Sequence, residues 1–248
     1  LSAGAALRQL SMAVDDGVLY LHGGWQTLVD GLTTRAETAG VVFRYDGSVT
    51  GVLGESPRLA IRTATEDLSA RTTIVAAGGP ETAERLTGAT GLVEAAGPPT
   101  RVAVLDLALD HQPDHRFVLG IDHPVYFSVH GPPARLAPDG QATASAVRYL
   151  HPGADGPADE NRSALEDIAA ASGVQASSLL ADRYLHAMTV AHGIPLAERG
   201  GLAGRPGIDA ADRPGVLIAG DWVGPEGMLA DAAAASAWAA ADVLLGTP

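Results

Sequence analysis

Apolar residues recur along this chain with two periods, and the period changes by region. Leu7, Leu10 and Val14 share one helical face. Trp25, Leu28, Val29, Leu32, Ala36 and Ala39 follow the i, i+3, i+4, i+7 pattern, which predicts a helix that buries one face and stops at Gly40. Strand patterns come next. Val41 to Phe43 and Ser48 to Leu53 flank the turn at Tyr45-Asp46-Gly47, and Arg58 to Thr63 alternates like an exposed antiparallel strand. Thr72 to Ala76 is a buried strand that runs into Ala77-Gly78-Gly79-Pro80 before a short helix from Glu81.

The pattern shifts near Gly97. Residues 102–109, 116–121, 125–130 and 143–150 are short strand patterns separated by Pro, Gly, Asp and His, as in an antiparallel sheet. Asp159 to Ala171 predicts a helix with Leu165, Ile168 and Ala169 inward, followed by another helix at Ser177 to Leu180 and a strand over Tyr184 to His192. The glycine-rich loop Gly200 to Gly207 then leads to Val216–Ala219, a continuous apolar run bounded by Gly215 and Gly220 that reads as a buried parallel strand. Asp221 follows at once, then a turn holding Gly224, Pro225 and Gly227, then an alanine-rich helix from Met228 to the stop at Gly246. Strand, carboxylate, glycine turn and helix start form a ligand-binding order, because a helix N-terminus offers unpaired N–H groups and about half a positive charge. The carboxylate suits the hydroxyls of a ribose or ribitol chain.

This closing stretch, GVLIAGDW followed by GMLADAAAASAWAA, resembles the carboxyl-terminal FAD-binding motif of the amine oxidase and phytoene desaturase superfamily of flavoproteins. An alanine-rich core helix after a turn in another α/β protein is the competing reading. By position, the resemblance implies that Gly220, Asp221 and Trp222 lie at the cofactor, with Asp221 on its ribityl or phosphate region. It implies that the N–H groups of Met228 and Leu229, after Gly227, face the pyrimidine side of the flavin. Further resemblances run in the same order. Gly23 and Gly24 with Trp25, before the second helix, correspond to a Gly-Gly pair near flavin and substrate, although such a pair also serves as a plain turn. Val49 corresponds to a residue whose backbone meets the adenine, and 72–80 to a crossover beneath the cofactor. His22 is placed near a substrate or as a capping residue.

The fold class implied is α/β with an α+β subdomain: a partial Rossmann-like FAD-binding domain carrying an inserted antiparallel-sheet substrate-binding subdomain. The boundaries expected are 1–22 as the end of substrate-domain helices, 23–96 as the middle of the FAD domain, 97–195 as the substrate subdomain and 196–248 as the closing strand and helix of the FAD domain. The G-x-G-x-x-G fingerprint that cradles pyrophosphate in such domains is not found in the 248 residues. The chain is therefore expected to be the carboxyl-terminal portion of a flavoprotein, completed by its amino-terminal half or by a partner chain, and to hold FAD weakly by itself.

Composition narrows the alternatives. A formal net charge of -13 disfavours nucleic acid. No apolar run is long enough to span a bilayer, and no signal-peptide pattern opens the chain, so a cytoplasmic location is expected. With no cysteine there is no disulfide, thiolate metal site or cysteinyl flavin link. All 16 basic residues are arginine, which excludes a P-loop lysine and the lysine that amine oxidases generally place near flavin N5. That absence favours the phytoene-desaturase-like branch, unless it reflects genome composition alone. Asp110, His111, Asp114 and His115 have metal-ligand chemistry but sit in one polar turn and read as a solvated loop; no metal site is expected. The resemblance implies an FAD-dependent oxidoreductase that moves hydride from a C–H bond of a small-molecule substrate, apolar or amine-bearing, to flavin N5, with no catalytic residue identified. A non-catalytic binding module is the alternative.

Overall fold

The computed structural model describes residues 1–246 apart from Asp16, Val18, Pro133 and Ala210. In chain order the elements are α1 (Ala3–Asp15), α2 (Trp25–Thr38), β1 (Val49–Glu55), β2 (Arg58–Thr63), β3 (Asp67–Ala70), β4 (Thr73–Val75), α3 (Pro80–Thr87), α4 (Leu92–Ala96), β5 (Thr100–Leu109), β6 (Phe117–Leu119), β7 (Val125–Gly131), β8 (Ala142–Tyr149), α5 (Ala158–Ala171), β9 (Leu179–Ala191), β10 (Val216–Ile218) and α6 (Ala230–Leu245). The protein is mixed α/β, with both parallel and antiparallel sheets. Two compact units divide the chain.

The first unit comprises Leu1–Gly17, Arg44–Pro99 and Ala191–Pro248. Its parallel pair joins β10 to β4 in the register Val216↔Thr73, Leu217↔Ile74, Ile218↔Val75. β1, β2 and β3 form a separate antiparallel meander. Between them lies one core that includes Val52, Leu59, Val75, Leu86, Ile218 and Trp222. Arg213 fastens this core to the chain beneath it, donating from Nη1 to the carbonyls of Val52 (2.8 Å) and Thr87 and from Nη2 to that of Gly54.

The second unit, Val18–Phe43 with Thr100–Val190, is built on a five-stranded sheet in the order β6-β7-β8-β5-β9. Period-2 alternation sends Ala103, Leu105, Leu107 and Leu109 of β5 to one face, where they pack with Phe127 and with Leu165 and Ile168 of α5. Val102 and Val104 point to the other face with Val147.

Several expectations change. Residues 41–43 form no strand; the Val41 N–H bonds the Ala36 carbonyl and prolongs the end of α2. No helix forms at 177–180: Ala176–Ser178 is a single 3-10 turn, and Leu179 and Leu180 already belong to β9. β3 and α4 carried too short a pattern to be read. α2 forms where its periodicity put it, but none of its residues is buried, and Trp25 remains 64% exposed. Periodicity identifies the apolar face of a helix, not the surface that will cover it.

Candidate functional site

At the carboxyl end of β10 the chain leaves the sheet through Ala219 and Gly220 into Asp221. Three segments of the first unit meet there. Trp222, only 1% exposed, donates from Nε1 to the carbonyl of Gly78 at 3.2 Å, so the Gly78–Gly79 crossover after β4 packs on the β10 turn. His192, just past β9, donates its backbone N–H to Asp221 Oδ2 at 2.9 Å and places its ring Nδ1 3.2 Å from Asp221 Oδ1. The glycines are needed for these approaches. A Cβ on Gly79 would lie 2.4 Å from His192 Cδ2, one on Gly193 2.6 Å from Trp222 Cα, and one on Gly220 2.8 Å from Trp222 Nε1.

The turn then reaches α6. Gly227 has φ +62, and a Cβ there would come within 2.6 Å of Asp231 Cβ, so only glycine is accommodated. Leu229 caps the helix at φ 55 with no side-chain hydrogen bond to the first turn. Among the described residues, neither the Met228 nor the Leu229 N–H donates to another protein group. These are the unsatisfied donors that a helix start offers to an acceptor. Ser236, one turn and a half into α6, is buried; its hydroxyl accepts from the Gly220 N–H at 3.0 Å and locks the helix to the strand end.

Arg205 lies under the same turn. It is 9% exposed and donates from Nη2 to the Gly227 carbonyl at 3.0 Å, while its Nε and Nη1 are buried without a partner among the described residues. Burial pushes the guanidinium pKa below its usual range, and the nearby Asp221 carboxylate opposes that shift. An apolar cleft of about 540 Å³ runs beside the turn, lined by Leu217, Val223, Pro225, Ala235, Ala239 and Val243.

The donor set fits a flavin nucleotide: a carboxylate for hydroxyls, two unpaired N–H groups for ring acceptors, and glycines where backbone must come close. Gly220, Asp221, Trp222, Gly227, Met228 and Leu229 are thus gathered in one turn of the first unit. Val49 is also in this unit but opens β1, in the antiparallel meander rather than beside β10. Gly23, Gly24 and Trp25 belong to the second unit. There Gly23 has φ +79 and donates to the Arg135 carbonyl, Gly24 caps α2 at φ +76, and His22 Nδ1 accepts from the Arg135 N–H at 3.1 Å. The Asp110–His115 turn gathers no group of three ligands able to hold a metal among the described residues. Sequence reading missed His192 and Arg205. The partners of His192 lie 29 positions away, so no local pattern marks it; the glycine that follows it, shaped by Trp222, was the one available signal.

The second unit has a polar face of its own. Asp106 accepts from Ser145 Oγ at 2.8 Å and from Arg183 Nη2 at 2.7 Å, and with His130 and Thr143 these residues line a shallow groove of about 380 Å³.

The sequence matches no protein-family model and no curated protein. Solved structures do match. A protein from Pyrococcus furiosus superposes with a TM-score of 0.69 at 17% identity, over 100% of this chain and 59% of its own length. A reduced UDP-galactopyranose mutase gives 0.68 at 11%, over 92% of this chain and 52% of its own. An oxidoreductase from Methanosarcina mazei gives 0.64 at 18%, over 89% and 55%. The chain therefore spans between 52% and 59% of the length of these three structures. At such identities the likeness is one of fold, and fold hosts more than one chemistry. The fold of this chain is similar to that of these three solved structures, among them an oxidoreductase and a UDP-galactopyranose mutase.

Proposed function

We propose that this chain is the carboxyl-terminal portion of an FAD-dependent oxidoreductase, with the β10–α6 turn holding the flavin. The observation that carries the reading is the turn itself: Asp221 at the strand end, with the unpaired Met228 and Leu229 N–H groups at the helix start. Asp221 would accept from hydroxyls of the ribityl chain, and the two N–H groups would bond acceptors on the pyrimidine edge of the ring. When bound, FAD would supply a two-electron acceptor for hydride from a substrate C–H bond. The protein's own part is to bind, orient and exclude water.

The substrate is proposed to be small and largely apolar, and the second unit to take part in binding it through its sheet. A phytoene-desaturase-like chemistry accords with the absence of lysine. Val49 is proposed to meet the adenine, and Gly23, Gly24 and Trp25 to lie near the substrate. Further polypeptide, from the same protein or a partner, is proposed to complete the cofactor domain. Its support is the share of the matched structures that this chain does not span.

In the full-length protein, Asp221→Ala is expected to lower retained FAD at least about tenfold, the scale of losing hydrogen bonds to a charged acceptor. Flavin absorbance after desalting reads this directly. Unchanged flavin content would reject the assignment of Asp221.

A further inference from the structure

We propose that His192 is a positioning residue for the polyol chain of the flavin, acting through Asp221; this rests on the flavin reading above. Its grip on the carboxylate is two-point. The backbone N–H holds Oδ2 at 2.9 Å, and ring Nδ1 meets Oδ1 at 3.2 Å. A carboxylate accepts but cannot donate, so Nδ1 carries the proton in this contact. Each carboxylate oxygen has a second lone-pair direction, and these remain for hydroxyl donors from a ligand. Both side chains reach solvent, at 28% for His192 and 21% for Asp221, so the pair is accessible rather than sealed in the core.

The seat of the ring is shaped by backbone. Gly79, where the crossover enters α3, has no room for a Cβ beside His192 Cδ2, and Gly193 has none beside Trp222 Cα. His192 therefore cannot swing toward the crossover, and Gly193 lies against the backbone of Trp222. Without the imidazole, the carboxylate keeps one anchor and can rotate about χ2, which scatters the direction of its acceptor lone pairs. A binding site that fixes hydroxyls by direction loses affinity when its acceptor is loosened, even though the acceptor itself is present.

Riboflavin and lumiflavin share the isoalloxazine ring and differ in that lumiflavin lacks the polyol, so they separate this role from general support of the site. The full-length protein and its H192A, H192N, G79A, D221N and H192A/D221N variants are titrated with FAD, riboflavin and lumiflavin, following flavin fluorescence. H192A is expected to weaken riboflavin about tenfold while leaving lumiflavin unchanged. H192N, which keeps a side-chain donor, is expected to recover part of the loss. The double variant is expected to bind no more weakly than D221N, because both changes act on one carboxylate. If circular dichroism shows H192A to be unfolded, G79A displaces the same ring from outside and carries the same expectation. Equal losses for riboflavin and lumiflavin, or no loss in H192A when D221N loses affinity, would overturn the proposal and leave the flavin reading standing. Failure of the unsubstituted protein to bind FAD would overturn both.

Discussion

The five-stranded sheet of the second unit and the β4–β10 pair of the first differ in how much chain they need to close. In the second unit β6, β7 and β8 are successive neighbours, and the buried face of the sheet is covered by α5, which follows β8 directly. Its buried side chains form a continuous apolar layer, although β5 pairs with β8 and β9 from farther along the chain. The first unit joins a strand at Thr73–Val75 to one at Val216–Ile218, drawn from distant parts of the chain, and adds an antiparallel meander. Parallel strands cannot be joined by a tight hairpin, so long connections and polar ties take over. The lesson is that the unit with the poorer local sheet carries the candidate cofactor site, because a strand end that meets a crossover and a helix start is what a ligand can use.

If that contrast is right, the two units respond to different kinds of damage. The largest effect is expected in the second unit from Phe127→Ala, which empties a fully buried position between β6, β8 and α5. A loss of about 3–5 kcal/mol in urea unfolding is expected, with hydrogen exchange accelerating across β7 and β8; a loss below about 1 kcal/mol would mean that the layer is not the unit's core.

Arg213→Ala is the matching test in the first unit. It removes a half-buried guanidinium that ties the carbonyls of Val52, Gly54 and Thr87 together. The expected cost is about 2 kcal/mol, with faster exchange in β1 and α3 and no change in β7 or β8. Exchange that rises equally in both units would show that they do not respond separately.

The smallest expected effect is one of pH. Burial pushes the pKa of His130 below its ordinary 6.5, more strongly than Asp106 pulls it back. As pH falls, the unfolded chain binds this proton before the folded one does, so the contribution is intact above the unfolded value and declines from about pH 6.5 downward. In His130→Phe the urea midpoint of the second unit is expected to fall less between pH 7.5 and 5.5, a window of roughly one unit on either side of the unfolded value. An unaltered slope would assign the acid sensitivity elsewhere.

Much of this architecture was legible because it rests on local patterns. The strand at Arg58–Thr63 and the start of α2 at Trp25 fall where periodicity and glycine placed them. The Asp221 turn was legible for the same reason: strand, carboxylate, glycines and helix follow one another within a single stretch. β3, with the sequence Asp-Leu-Ser-Ala, was not, since four largely polar residues become a strand only by pairing with β2. His192 and Arg205 escaped for a related reason. Their roles depend on backbone and carboxylate groups brought in from far along the chain, and nothing in their immediate sequence states that.

The most direct measurement is the stoichiometry of FAD in the full-length protein and in Asp221→Ala, purified alike, desalted and read by flavin absorbance. Stoichiometric flavin in the first and at least about tenfold less in the second, with the unfolding midpoints of the two flavin-free proteins alike and excess FAD raising the midpoint of the first more than that of the second, is the expected result. Equal flavin in both would contradict the assignment of Asp221, and no flavin in either would contradict the reading of the β10–α6 turn as a flavin site.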